Sequence, residues 1–123
     1  MTIRSFARLG ASLAFALSAT AAFAHAQLEK AVPAVGVTVS SPSEIRLEFS
    51  EGVEPRFTGV ALTSASGAAI PVGKSAVAPG DNKVLITKIG KALAPGVYTV
   101  NWHAVSVDTH HTQGTFPFMV MAP

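Results

Sequence analysis

The sequence predicts an all-β domain, a single Greek-key β-sandwich or barrel of about seven short strands. Two observations carry this prediction: short apolar or alternating segments recur along residues 25–123, and turn signals separate them about every ten residues. No span of about ten residues or more shows a convincing helical period. Because the chain has no cysteine, disulfides and thiolate metal sites are excluded, and the core alone must hold the domain together.

The first half of this domain contains four strand candidates. Residues 26–32 are expected to form a strand that ends at Pro33. Residues 44–49 alternate strictly between polar and apolar, which is typical of a strand with one buried face. Residues 59–63 and 69–72 flank a turn at Ser64–Gly67.

Three further strands are expected in the second half. Residues 83–87 follow the turn at 79–82, and residues 97–105 form the longest candidate. In that strand one face carries Tyr98, Val100, Trp102 and Ala104, because alternate side chains share a face. Residues 115–121 close the chain, with Phe116, Phe118 and Val120 on one face. Pro117 predicts an edge position or a bulge there.

Residues 1–24 have the pattern of a secretory signal peptide. Arg4 and Arg8 precede a short apolar run, and Ala22-Phe23-Ala24 matches a cleavage site. The run is too short for a membrane anchor, since spanning takes about 20 apolar residues. We therefore expect cleavage after Ala24, export, one domain at residues 25–123 and no membrane span after cleavage.

The net charge argues against nucleic-acid binding. Arg4 and Arg8 account for the formal charge of +2, and the chain from His25 onward carries seven basic and seven acidic residues. Such a balanced chain lacks the basic surface that phosphate backbones require. Hydrolytic chemistry is also disfavoured, because no G-x-S-x-G motif is present.

A metal site is the sharpest functional prediction. Cleavage after Ala24 would give His25 a free α-amine, so that amine and imidazole could chelate one ion. Asp108 and His110 point to the same side of an extended segment, and His111 points away. Up to three nitrogens and one carboxylate oxygen suit Cu(II), with Zn(II) as the main competitor.

Several stretches along the mature chain carry a family resemblance. The specific ones are His25-Ala26-Gln27-Leu28 at the start and Val105-Ser106-Val107-Asp108-Thr109-His110 near the end; weaker ones are Ile45–Glu51, Val53–Phe57, Leu93–Trp102 and Gly114–Phe118. In these the sequence resembles the CopC family of periplasmic copper-resistance and copper-carrier proteins.

The resemblance implies a cupredoxin-like β-barrel with a Cu(II) site at one end. The implied ligands are the amine and imidazole of His25, the carboxylate of Asp108 and the imidazole of His110, with Glu51 a second-tier candidate. Trp102 would lie near the same end. The implied function is that of a periplasmic Cu(II) carrier or buffer, not an enzyme, with an inner-membrane copper transporter as a partner.

The chain departs from the family pattern at three places. Asp108-Thr109-His110-His111 stands where Asp-Gly-His-Pro is usual, so that Thr109 must replace a glycine and His111 could compete with His110. His103 replaces a usual arginine and is interpreted as a surface residue or a residue that supports the ligands, rather than as a ligand itself. No methionine occurs between Ala26 and Phe118, so a thioether Cu(I) site is not expected, and Met119 and Met121 are assigned to packing.

Two other function classes stay open at this point. One is a metal-free, immunoglobulin-like interaction module, in which changing His25 or His110 would alter only the local surface. The other is a copper-dependent oxidative enzyme with a His-brace-like centre. Against the enzyme, Tyr98 and Trp102 are predicted to point inward, which leaves no extended aromatic face for a substrate.

Overall fold

The chain forms a two-layer β-sandwich in the computed structural model, which describes residues 25–123. One sheet has four strands in the order β1 (Leu28–Val32), β3 (Glu44–Phe49), β7 (Asp81–Lys88) and β6 (Ala76–Ala78). The other has five, in the order β2 (Thr38–Val39), β9 (His111–Val120), β8 (Gly96–Val105), β4 (Gly59–Ser64) and β5 (Ala69–Ile70). A 3-10 helix, Pro55–Phe57, precedes β4. The all-β sandwich prediction is confirmed.

Strand β3 shows why the alternating pattern makes a strand here. Ile45, Leu47 and Phe49 are buried in the space between the sheets, whereas the intervening polar residues are half-exposed. The strand pairs antiparallel with β1 on one side and β7 on the other. A slip of one residue would turn the apolar side chains outward, so burial fixes the register.

The long pair β8 and β9 supplies most of the facing layer. The two strands pair antiparallel without interruption from Gly96 opposite Val120 to Val105 opposite His111. Tyr98 and Phe118 stack on the inner face with ring centroids 5.8 Å apart. The turn that carries Asp108 and His110 lies at one end of this pair, between Val105 and His111.

All seven predicted strands are present, with differences at their limits. Strand β9 begins at His111 rather than Thr115, because polar residues there continue the ladder with β8. The prediction missed β2 and β6, which have two and three residues, too few to show a period. Strand β7 includes Asp81 and Asn82, which the prediction placed in a turn.

Pro117 was predicted at an edge or a bulge; it lies in the second strand of its sheet, in unbroken register, at a position that β2 does not reach. Its partner across β8 is Thr99, in unbroken register. On the other side, β2 pairs only with Met119 and Val120. The carbonyl of Pro117 accepts a hydrogen bond from the amide of Gly36 at 2.7 Å, so the missing N–H of proline faces a loop instead of a full strand.

Within residues 25–123, no helix has the length and apolar character that crossing a bilayer would need. The predicted signal peptide, residues 1–24, lies outside the described residues.

Candidate metal centre

The start of the described chain is fixed between the two sheets. Ala26 is fully buried, and its carbonyl accepts a hydrogen bond from the Thr112 hydroxyl at 2.8 Å. Ser50, directly after β3, donates from its hydroxyl to the carbonyl of His25 at 3.2 Å and accepts from the amide of Gln27 at 2.9 Å. These bonds place His25 beside the beginning of β9.

A tight turn follows β8 on the other side of the site. The amide of Ser106 donates to the carbonyl of His110 at 2.9 Å, and the amide of Thr109 donates to the carbonyl of Ser106 at 2.8 Å. Thr109 adopts a φ of 75°, a left-handed conformation that is unusual for a β-branched residue. The turn therefore keeps a geometry suited to glycine although threonine occupies the position.

Asp108 and His110 contact one another within this turn. Nδ1 of His110 lies 3.1 Å from Oδ1 of Asp108, and the buried hydroxyl of Ser106 donates to the same oxygen. These contacts hold the pKa of the Asp108 carboxyl below its ordinary value of 3.8, the hydroxyl of Ser106 first and His110 second. The carboxylate is therefore ionised and oriented at neutral pH.

His25 and His110 are far apart in the sequence, but their side chains lie close together in the fold. Their ring centroids are 4.7 Å apart, with the ring planes tilted by 50°. The structure thus brings His25, Asp108 and His110 to one end of the sandwich, as two contacting pairs that share His110. Nowhere in residues 25–123 do three or more His, Asp or Glu side chains already converge as a group that could hold a metal ion.

The second-tier candidates occupy different places. Glu51 is half-buried on the loop after β3, between Ser50, which bonds His25, and Gly52, whose carbonyl accepts the amide of Val107. His111 begins β9 opposite Val105 and lines a cleft on the outer face of the five-stranded sheet. The backbone therefore keeps Glu51 beside the site and turns His111 away from it.

Trp102 has a packing role near this end of the sandwich. It is half-buried, and its ring meets that of Phe49 edge-on with centroids 5.4 Å apart. Gly114 lies opposite it in the ladder, where a Cβ atom would come within 2.8 Å of the indole. The tryptophan thus covers a glycine that has no side chain of its own.

Sequence reasoning missed the two serines that build the site. Ser106 lies directly after β8 with its side chain fully buried, and Ser50 lies directly after β3. Each hydroxyl contacts backbone groups of the segments that carry the histidines. The only signal available was a small hydroxyl residue at the end of a strand, a pattern too common to single out.

The comparisons with known proteins agree with this fold. Residues 28–121 match the CopC domain. The chain is 39% identical over 120 residues to Protein YobA of Escherichia coli strain K12, covering 97% of each protein. It is 36% identical over 122 residues to Copper resistance protein C of Xanthomonas campestris pv. juglandis, covering 95% of this chain and 96% of that protein.

A solved structure from the same family has the same fold. The crystal structure of PcoC, a methionine-rich copper resistance protein from Escherichia coli, superposes with a TM-score of 0.72 at 34% identity. The match covers 79% of this chain and 99% of PcoC. Both the sequence match and the shared sandwich show that this chain belongs to the CopC family of copper-resistance proteins.

Proposed function

We propose that the mature protein is a periplasmic Cu(II) carrier or buffer, with a signal peptide removed after Ala24. The observation that carries this proposal is the meeting of His25 and His110, from opposite ends of the domain, next to an oriented Asp108. The named copper-resistance relatives support copper as the cargo. Export follows from the leader pattern.

The spacing of the two imidazoles is compatible with one shared ion. A metal–nitrogen bond of about 2.0 Å places an imidazole centroid about 3.1 Å from the ion. Two imidazoles at right angles around that ion would then have centroids about 4.4 Å apart. The observed 4.7 Å is close to this value, so adjacent corners of one coordination sphere are within reach.

Each residue has a distinct role in the proposal. The α-amine and imidazole of His25 chelate the ion after cleavage. With Nδ1 of His110 held by Asp108, Nε2 carries the lone pair that binds. Asp108 orients that ring and offers its second oxygen to the ion, and Glu51 is an accessory acidic group.

The nature of the donors favours Cu(II). Neutral nitrogen donors bind Cu(II) more tightly than Zn(II), whereas Cu(I) prefers soft sulfur ligands. No methionine lies between Ala26 and Phe118; Met119 lies in β9, and Met121 follows that strand.

The exposure of the site suits a carrier. The His110 side chain is 54% exposed, so an ion there is open to exchange, as a carrier requires. An inner-membrane copper transporter is the proposed exchange partner.

A Cu(II) competition titration with EPR tests the proposal. The protein is processed material whose mass confirms His25 as the first residue, and the control carries one extra alanine before His25. We expect one tight equivalent with a nitrogen-rich tetragonal spectrum, and a loss of about 100-fold or more in the control, since its amine becomes an amide. Full affinity in the extended protein would refute the amine chelate, and weak binding in both would refute the carrier.

A further inference from the structure

A second pair of histidines lies outside the site described above. His103 in β8 and His111 in β9 are both exposed on the outer face of the five-stranded sheet. His103 pairs with Gln113, and His111 pairs with Val105. The two histidines are therefore diagonal neighbours on one face of an antiparallel pair, a distance that long or aromatic side chains can bridge.

Both histidines line one cleft of about 790 Å³. The 3-10 helix forms one wall of this cleft, and the turn after β8 forms another; the remaining lining residues are Glu54, Arg56, Phe57, Val105 and Thr109. Within residues 25–123, neither imidazole makes a hydrogen bond or an ion pair. Their nitrogens are thus available to a ligand that enters the cleft.

The local packing gives the His103 ring its place in the cleft. Gly59 lies opposite His103 in the ladder, and a Cβ atom there would come 3.2 Å from Cε1 of the ring. The ring therefore lies over a glycine of β4, and it must turn toward β9 to share an ion with His111. Glu54 offsets the charge of Arg56, so the cleft does not repel a cation as an unbalanced arginine would.

We propose that this cleft is a second, weaker binding site for a divalent transition metal, with the imidazoles of His103 and His111 as protein ligands. Water fills the other positions, since only two imidazoles face the cleft. Cu(II) ranks highest among first-row divalent ions for nitrogen donors and is the best probe. The site does not rest on the proposed function, because it shares no ligand with the His25 chelate.

The experiment extends the Cu(II) titration of the mature protein beyond one equivalent. Histidine side-chain NMR of the same titration with diamagnetic Zn(II) reports which imidazole resonances shift with each equivalent, because paramagnetic Cu(II) at His110 would already broaden the adjacent His111. We expect a second equivalent at least about 10-fold weaker than the first, with His103 and His111 shifting together. His103→Ala and His111→Ala should each abolish the second equivalent and leave the first unchanged.

Gln113→Ala is the matched control, because Gln113 is exposed on the same face but does not line the cleft. It should retain both equivalents, and circular dichroism confirms the fold of each variant. A wild-type protein that takes a single equivalent, unaffected by His103→Ala and His111→Ala, would overturn the inference, as would loss of the second equivalent in only one of the two histidine variants. A wild-type protein that takes a single equivalent and loses it in both histidine variants would refute the proposed function and leave this site standing.

Discussion

The hydroxyl of Ser106 donates a hydrogen bond to the carboxylate of Asp108 and accepts one from the amide of His110 at 3.2 Å. One fully buried side chain thus orients both residues of the turn that faces His25. The geometry of this turn therefore depends on a residue outside the proposed ligand set.

Ser106→Ala should therefore change both the stability of the fold and the pKa of Asp108. We expect the free energy of unfolding to fall by about 1 kcal/mol, because the bonds of this buried hydroxyl to Asp108 and His110 are lost. The pKa of Asp108 should rise toward its ordinary value, since its first-ranked stabilising contact is lost. Urea unfolding and carboxyl NMR titration measure the two effects. Ser66→Ala removes an exposed Ser–Ser bond and should change neither.

The lowered pKa of Asp108 predicts the acid response of the metal-free protein. A carboxyl whose pKa is depressed on folding contributes stability above its unfolded value of 3.8, and this is lost as the pH falls through the folded value. The stability difference between wild type and Asp108→Asn should thus be larger at pH 7 than at pH 3. Urea unfolding with a chelator present checks this, and a difference that stays constant with pH would contradict it.

Copper affinity should distinguish the adjacent histidines. His110→Ala should weaken the first Cu(II) equivalent by about 100-fold or more, because it removes the imidazole that faces His25. His111→Ala should change that equivalent by less than about threefold, because this side chain lines the outer cleft. Competition titration of both proteins decides the assignment, and equal losses would contradict it.

The contact between Trp102 and Gly114 predicts a packing defect. Gly114→Ala places a methyl group within 2.8 Å of the indole, so we expect a loss of about 1–3 kcal/mol in unfolding free energy and a shift in the emission of the single tryptophan. Gly90→Ala is the control, since a Cβ there meets nothing within 4 Å. Equal stability of the two variants would show that the indole moves aside freely.

The strands could be predicted from sequence wherever burial imposes a period. Residues 44–49 alternate and form β3 with those limits, and Tyr98 and Val100 are buried as expected. The start of β9 is different: His111 and Gln113 are exposed, so only pairing with β8 makes that segment a strand. Local pattern contains no information about such pairing.

The prediction that Asp108 and His110 lie close together assumed an extended segment, in which alternate side chains share a side. Asp108 and His110 were expected to converge on an extended segment, but they lie in a turn in which Thr109 has a positive φ. The hydroxyl of Ser106 and the backbone bonds to Ser106 close that turn. Neither the turn nor the buried serine has a signature that separates it from ordinary loop sequence.

The placement of Ala26 beside Thr112, 86 residues later in the chain, has a mechanical consequence for the neighbouring histidines. A single ion held by His25 and His110 would be a reversible cross-link across almost the whole domain, in a chain that has no cysteine for a permanent one. Because the ion binds the two histidines only where folding brings them together, it stabilises the folded state by mass action, by about 4 kcal/mol at a thousandfold excess over Kd. Release of the ion would remove this cross-link, and resistance to heat or protease would report whether an ion is bound.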